Sequence, residues 1–310
     1  MTSKRVLITG ANSYIGTSFE KYITKWNQEH PKEDHLIIDT LDMQSPSWKE
    51  HDFSKYDSVF HVAGIAHADT GKVSEERKQL YYKVNRDLAE ETAKKAKEAG
   101  VKQFIYMSSI IVYGESKPGE DFIIDENTEP KPANFYGDSK LQAEQRLNAL
   151  PDEKFKIAIL RPPMIYGPGC KGNYQLLSKI ARYSPLFPKY ENKRSMLFIY
   201  NLCEFVRLLI INQDSGIFFP QNSEYVCTYE MVKAIAKAHN RKILLTPIFN
   251  VLIKLFMKLG GKSGKLCIKA FGNMTYSKSL SRYSLNYISF ESTDSFFVTE
   301  GEFYHEDNYN

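Results

Sequence analysis

At 310 residues the chain has material for one large α/β domain or two closely joined ones. Hydrophobic residues at 42% and charged residues at 25% exclude a disordered or membrane-embedded chain. A net charge of +4, with Lys and Arg read as scattered, gives no argument for nucleic acid.

No apolar run nears the roughly 20 residues that cross a bilayer, and the first residues carry no secretory pattern. No integral membrane segment is expected, and the location is expected to be cytoplasmic. Cys170, Cys203, Cys227 and Cys267 form no Cys-x-x-Cys pair and read as reduced thiols. The seven histidines make no ligand-spaced set with them, so no metal is expected.

The first run, Lys4–Thr9, is short, apolar and rich in β-formers. It ends in Gly10-Ala-Asn-Ser13-Tyr14-Ile15-Gly16 and passes into a helical pattern to about residue 28. A strand, a glycine turn and a helix make the entry of a dinucleotide site, because the helix start offers unpaired N–H groups and a positive dipole end to a pyrophosphate. The spacing is Gly-x-x-Ser-x-x-Gly rather than the commoner Gly-x-Gly-x-x-Gly. Gly10 permits the turn and Gly16 a close helix–strand approach. Ser13 brings a Cβ to the central position, with a hydroxyl to cap the helix or bond a phosphate. A second run, 35–39, ends in Asp39. An acid at that strand end accepts from both ribose hydroxyls and repels a 2′-phosphate, which favours NAD over NADP. Asp42 competes for the role, and a solvated loop acid is the plain alternative.

A third strand, 58–62, ends in Ala63-Gly64, small residues that let a ligand lie against backbone. His61 sits among apolar neighbours and reads as a hydrogen-bonded core histidine; His67 is a loop residue without an evident partner. Residues 74–100 read as one long helix stopped by Gly100. A fourth strand, 101–107, delivers Ser108 and Ser109 to the same crevice. The Pro, Gly and acid-rich stretch 115–134 is long enough for a lid.

Phe135-Tyr136-Gly137-Asp138-Ser139-Lys140 then opens a helix running to residue 150. Tyr136 and Lys140 stand four apart and share a helix face. A phenol titrates near 10, so a base working near pH 7 needs about 4 kcal/mol of help. One charge at about 4 Å and an effective dielectric of 20 supplies about that. Ser109 can hold a substrate oxygen and relay its proton to Tyr136. Without Tyr136 and Lys140, a capping serine would be the better reading.

A fifth strand, 155–160, runs into Arg161-Pro-Pro163-Met-Ile-Tyr166-Gly-Pro-Gly169, a rigid irregular stretch suited to substrate contacts. Residues 174–183 are helical, and 193–201 read as a strand entering a helix at 202–212. Arg194 is able to clamp a diphosphate bidentately or is an unremarkable basic residue. A sixth strand is expected at 216–220, and a helix at 228–240 with Thr228 as its N-cap. Residues 247–259 (PIFNVLIKLFMKL) read as a core helix of a second lobe, with a peripheral membrane or partner-binding helix as the alternative. Gly260-Gly-Lys-Ser-Gly-Lys265 is not a phosphate loop, which needs glycine where Phe256 stands. The acidic, aromatic residues 300–310 read as a frayed end.

In their order, TGANSYIG, the acid after the second strand, Ala63-Gly64, Asn85, SSIIVYG, YGDSK and RPPMIYGPG resemble the extended short-chain dehydrogenase/reductases, specifically the NAD-dependent nucleotide-sugar epimerase/dehydratase family. KGN at 171–173 and NKRSMLFIYNL at 192–202 are similar to its branch acting on UDP-sugars in bacterial surface-polysaccharide pathways, which holds 4-epimerases and 4-keto-6-deoxy-sugar reductases.

The resemblance implies an α/β fold, a Rossmann-type doubly wound parallel sheet with a smaller C-terminal substrate-binding lobe. The NAD-binding domain would take 1–165, with 195–220 returning to it, and the lobe would take 166–194 and 221–310. It implies Tyr136 as acid/base, Lys140 on the nicotinamide ribose, and Ser109 completing the relay. Gly10, Ser13, Tyr14, Ile15, Gly16, Asp39, Ala63, Gly64, Asn85 and Pro163 would line the cofactor, with Asp52 and Phe53 at the adenine. Asn173 and Arg194 would meet the diphosphate of a UDP-sugar. A dehydratase of this family carries Asp-Glu after the catalytic hydroxyl; Ile110-Ile111 stand here, which argues against water elimination.

The expected activity is therefore hydride transfer at C4 of a UDP-hexose or UDP-N-acetylhexosamine, as a 4-epimerase. The alternatives are an NAD(P)H-dependent reductase of a UDP-4-keto-6-deoxy-sugar and a catalytically silent NAD-binding redox sensor. By family analogy the chain would be a homodimer.

Overall fold

The structure is a computed structural model describing residues 3–66, 73–283 and 286–301, with Lys262 as backbone only. His67 and the tail beyond residue 301 therefore lie outside the described residues. In chain order the elements are β1 Lys4–Thr9, α1 Tyr14–Glu29, β2 Leu36–Leu41, β3 Ser58–His61, α2 Glu75–Tyr82, α3 Leu88–Glu98, β4 Gln103–Met107, β5 Asp121–Ile124, α4 Phe135–Leu147, β6 Lys156–Leu160 and β7 Met164–Tyr166. There follow α5 Asn173–Tyr183, β8 Leu186–Pro188, β9 Met196–Phe198, α6 Ile199–Asn212, β10 Gly216–Phe218, α7 Thr228–Ala238, β11 Leu244–Thr246, α8 Asn250–Leu259, α9 Gly261–Phe271, β12 Asn273–Tyr276 and α10 Ser292–Glu300.

Two compact units result. The first is Met1–Gly114, Glu129–Pro162 and Leu202–Pro220; the second is Glu115–Thr128, Pro163–Asn201 and Gln221–Asn310. The first holds a six-stranded parallel sheet ordered β10-β6-β4-β3-β1-β2, a Rossmann-type fold. Helices cover both faces of such a sheet, so its strands read as near-continuous apolar runs. Leu7, Val59, Phe104 and Ile157 pack on one face with Trp48, Phe53, Ala143 and Leu147. The chain goes from β1 out to β2 and then returns to β1's other side as β3. The strand order thus reverses between β1 and β3, the place where open α/β sheets bind ligands at their carboxyl ends.

Several expectations are corrected. Residues 74–100 are not one regular helix: between α2 and α3 lies a π-helical turn, Lys83–Asp87, with Asn85 at its centre. The stretch expected as a lid contains β5, which pairs in parallel with β12, so Glu115–Thr128 belongs to the second unit. Residues 195–201 also fall there, because β9 pairs with β7. Thr228 is the first residue of α7 rather than its cap, and its hydroxyl donates to Ala270 O at 2.6 Å.

The largest correction concerns α8. Its buried residues are Ile253 and Met257, one turn apart, while Val251, Leu252, Leu255, Phe256 and Leu259 are exposed. A core helix would have hidden that broader apolar face.

Candidate active site

Gly10 ends the first strand with φ +117°, and a Cβ there would stand 2.6 Å from Ala63 N. Only glycine lets the β1 and β3 ends approach so closely. Gly10 N and Ala11 N both donate to Leu41 O, at 2.9 and 3.1 Å, tying this turn to the end of β2. Ser13 caps α1, its hydroxyl accepting from Gly16 N at 3.2 Å. Its oxygen serves the helix start as an acceptor, and Tyr14 and Ile15 supply the first helical turn. That turn contains no acidic residue, so nothing opposes an anion at the dipole's positive end.

Asp39 does not hold the place expected of it. It lies in mid-strand opposite Leu7, accepts from Tyr56 Oη at 2.8 Å and Arg5 Nη2 at 3.1 Å, and is held below the usual carboxylate range by those partners. The acid that closes β2 is Asp42, exposed and next to the Leu41–Gly10 contact. The alternation of side chains along a strand, which a count of residues from Gly16 ignores, separates the two. Asp52 is exposed and accepts from Ser54 N at 2.9 Å, but the Phe53 side chain is buried in the sheet's core, leaving only its backbone for a ligand.

Beyond β3, Asn85 organises the Ala63–Gly64 turn. Its Oδ1 accepts from Ile65 N at 2.8 Å; its Nδ2 donates to Ile65 O at 3.2 Å and to Ser139 Oγ at 3.0 Å. Ser139 Oγ in turn donates to Tyr136 O at 2.8 Å. The π turn presents Asn85 to both elements, and its amide shapes the site instead of reaching into it. A Cβ on Gly64 would meet Asn85 Oδ1 at 3.0 Å and Lys140 Nζ at 3.2 Å.

Helix α4 begins at Phe135, with Asn134 Oδ1 accepting from Gly137 N at 3.0 Å. This cap sets Tyr136 in the first turn, where its hydroxyl is hydrogen-bonded to the Ser109 side chain. Ser109 also caps the short helical turn after β4. The predicted Tyr–Ser pair is thus in contact.

Lys140 departs from expectation. It is buried beside Tyr136's helix turn, but its Nζ donates to Met107 O at 2.7 Å and lies 4.8 Å over the Tyr106 ring. Burial lowers its ammonium to about 8, against the pull of Glu144. Tyr136 is pushed the other way, up to about 12, by burial, with Ser109 partly offsetting. The phenol is thus raised rather than lowered, with burial the largest cause, while the Lys140 ammonium is directed at Met107 O.

The site has a floor that the motif reading missed. Ser108 Oγ donates to Glu144, which Arg161 Nη2 meets at 2.5 Å and Arg161 Nε meets at 3.1 Å; Arg161 Nη1 donates to Tyr113 Oη at 2.7 Å. Glu144 lies one turn beyond Lys140 on the buried face of α4, with Ala143 and Leu147. The stripe 139-140-143-144-147 was legible as a 3.6-period face, but its polar members hid it. His61 Nδ1 lies 2.8 Å from Thr9 Oγ1, and burial lowers its imidazole to about 3. It is a core histidine, as expected.

In the second unit, Asn173 and Arg194 line one small cavity with Thr228 and Lys269. Arg194 Nη1 donates to Lys269 O at 3.0 Å and Gly272 O at 3.1 Å, and has no carboxylate partner among the described residues. Burial draws it down to about 10. Pro163 is buried where the chain re-enters that unit.

A sheet switch point, a glycine turn at a capped helix start and a tyrosine–serine pair define a dinucleotide-dependent enzyme of the short-chain dehydrogenase type. The sequence profile of the NAD dependent epimerase/dehydratase family matches residues 6–218. A UDP-glucose 4-epimerase of Vibrio cholerae is 33% identical over 276 residues, covering 84% of this chain and 83% of the relative. An N-acetyl-α-D-glucosaminyl-diphospho-ditrans,octacis-undecaprenol 4-epimerase of Escherichia coli O157:H7 is 30% identical over 223 residues, covering 68% of this chain and 64% of the relative. A dTDP-4-dehydrorhamnose reductase of Clostridium acetobutylicum shares the fold with a TM-score of 0.70 at 18% identity, over 95% of this chain and 98% of the other.

The chain belongs to the NAD-dependent epimerase/dehydratase family, among nucleotide-sugar epimerases, dehydratases and reductases. It is an enzyme, and its cofactor is NAD. The Gly10 cradle, the acid-free start of α1 and the Cβ-free Gly64 beside Lys140 fit that cofactor. Among the described residues no helix is long and apolar enough to cross a membrane.

Proposed function

We propose that the chain is a 4-epimerase acting on a UDP-hexose or UDP-N-acetylhexosamine, with Tyr136 as its acid/base. The observation that carries this reading is the hydrogen bond between Tyr136 and Ser109 at the carboxyl end of the sheet, with Lys140 buried one turn below. Bound NAD supplies the acceptor and donor of the hydride. Gly10, the first turn of α1 and Asp42, in place of Asp39, hold the dinucleotide. Ser109 orients the C4 oxygen, and Tyr136 takes its proton and later returns one. Asn173 and Arg194 bind the diphosphate, a role suited to a guanidinium with no carboxylate partner among the described residues.

A phenol at about 12 stands five units above neutrality, about 7 kcal/mol. A Lys140 ammonium released from Met107 O and brought within about 4 Å offsets about 4 kcal/mol of this, or three units. Lys140 therefore sets the pH range of catalysis. The test is the pH–rate profile of epimerisation without added reductant. Activity rises with pH through the ionisation of Tyr136, and Lys140→Met moves that limb up by about three units. A limb that stays in place refutes the role of Lys140. Stoichiometric consumption of NAD(P)H on a 4-keto-6-deoxy-sugar, with no epimerisation, replaces the epimerase with a reductase.

A further inference from the structure

The basic residues are not scattered, as the overall count suggests. Residues 231–290 contain eleven Lys and Arg and no Asp or Glu; the rest of the chain holds 30 basic against 37 acidic residues, a net of −7. The hairpin α8–α9 lies at the centre of this carboxylate-free run. At about 100° per residue, Val251, Leu255, Leu259, Leu252 and Phe256 span an arc of about 140° on α8. That arc faces away from the buried pair Ile253 and Met257. Ile248, just before the helix, and Val251 are each 78% exposed, and Leu259 is 71% exposed. Lys254 and Lys258 flank this face, and Lys265 and Lys269 are exposed on α9.

Clustered exposed aliphatics with a polar rim mark a surface made for contact. Nucleic acid has no use for five large aliphatic side chains. A second copy docked by two-fold symmetry would set these lysines against their own kind, with no acid within the run to pair them. An anionic bilayer answers both features: its acyl boundary takes the apolar arc and its headgroups take the ammoniums.

We propose that α8–α9 is an interfacial membrane-binding hairpin, with Ile248, Val251, Leu252, Leu255 and Leu259 entering the headgroup–acyl boundary of an anionic membrane while Lys254, Lys258, Lys265 and Lys269 meet its phosphates. The protein lies on the membrane and does not cross it. This inference is independent of the sugar's carrier.

The test is flotation of the full chain with phosphatidylglycerol–phosphatidylcholine vesicles and with phosphatidylcholine vesicles. The wild type floats with the first, not the second, and is released as salt rises. Each lysine replaced in Lys254→Glu and Lys258→Glu lowers partition by about fivefold or more. Leu255→Ser combined with Leu259→Ser lowers it at least tenfold, while the thermal melt and turnover of a soluble nucleotide-sugar stay unchanged. No binding to anionic vesicles, or binding indifferent to the α8 changes, overturns the proposal. So does a concentration-dependent dimer that the leucine variant dissociates, since that assigns the face to a second copy.

Discussion

Helices α4 and α8 break the same rule in opposite directions. Helix α4 buries a lysine, a glutamate and a serine, Lys140, Glu144 and Ser139. Helix α8 leaves Val251, Leu252, Leu255 and Leu259 in solvent while burying Ile253 and Met257. A buried charge is tolerated only where partners meet it, and the ends of β4 and β6 provide them for α4 in Met107 O, Ser108 and Arg161. An exposed aliphatic needs no partner inside the fold, so nothing in the described residues accounts for the face of α8. Misplaced polarity inside marks chemistry; misplaced apolarity outside marks a surface awaiting contact.

The comparison is broken most sharply at the top of α4. Tyr136→Phe keeps the ring against Tyr81 and removes only the hydroxyl that bonds Ser109. Turnover is expected to fall at least a hundredfold with nucleotide binding intact, as steady-state kinetics and NAD titration would show. Near-normal turnover would mean that the burial of polar groups on α4 has no catalytic purpose.

Lower on the helix the effect passes from rate to stability. Arg161→Met leaves the Glu144 carboxylate buried with Ser108 as its remaining side-chain partner. A loss of about 3–5 kcal/mol is expected, measured by urea unfolding. The double change Glu144→Leu with Arg161→Met should recover most of it, because the cost lies in the unpaired charge.

Lys140 gives a smaller, pH-dependent effect. Its folded value of about 8 lies below the ordinary 10.5, so between these limits the unfolded chain binds more protons and stability rises with pH. The handicap is complete below pH 8, about 3 kcal/mol, and is gone above 10.5. Lys140→Met lacks this dependence, so the urea midpoints of the variant and the wild type should converge as pH climbs from 7 to 10. A constant gap would show that Lys140 is not held against its charge.

What the sequence conveyed follows the same division. All six strands of the main sheet were legible: β1, β3, β4 and β6, largely buried, as plain apolar runs, and the more exposed edge strands β2 and β10 as partly apolar ones. The Tyr136–Ser109 contact and the Gly10 turn were legible because their chemistry ties residue type to spacing. Asp39 stands in mid-strand because the count from Gly16 does not reveal where a strand ends; the register carries β2 on to Leu41, with Asp42 next in the chain. The direction of Lys140 was hidden because helix spacing fixes a face but not the acceptor a flexible chain will choose. Helix α8 was misread because apolar periodicity shows that a helix has a face and not what covers it.

The smallest effect tests α8 from within the fold. Leu255→Ser exchanges a half-exposed aliphatic for a hydroxyl without uncovering anything, so the unfolding free energy should move by no more than about 0.5 kcal/mol. Ile253→Ala, two residues away on the buried side, should cost about 2–5 kcal/mol. The contrast matters because both residues are large, aliphatic and on the same helix; only the side they face differs. If Leu255→Ser destabilised the isolated protein as much as Ile253→Ala, the outer face would be packed in solution, and α8 would be the core helix that its hydropathy suggested. If the two separate as stated, the helix has one face for the fold and another free for a membrane.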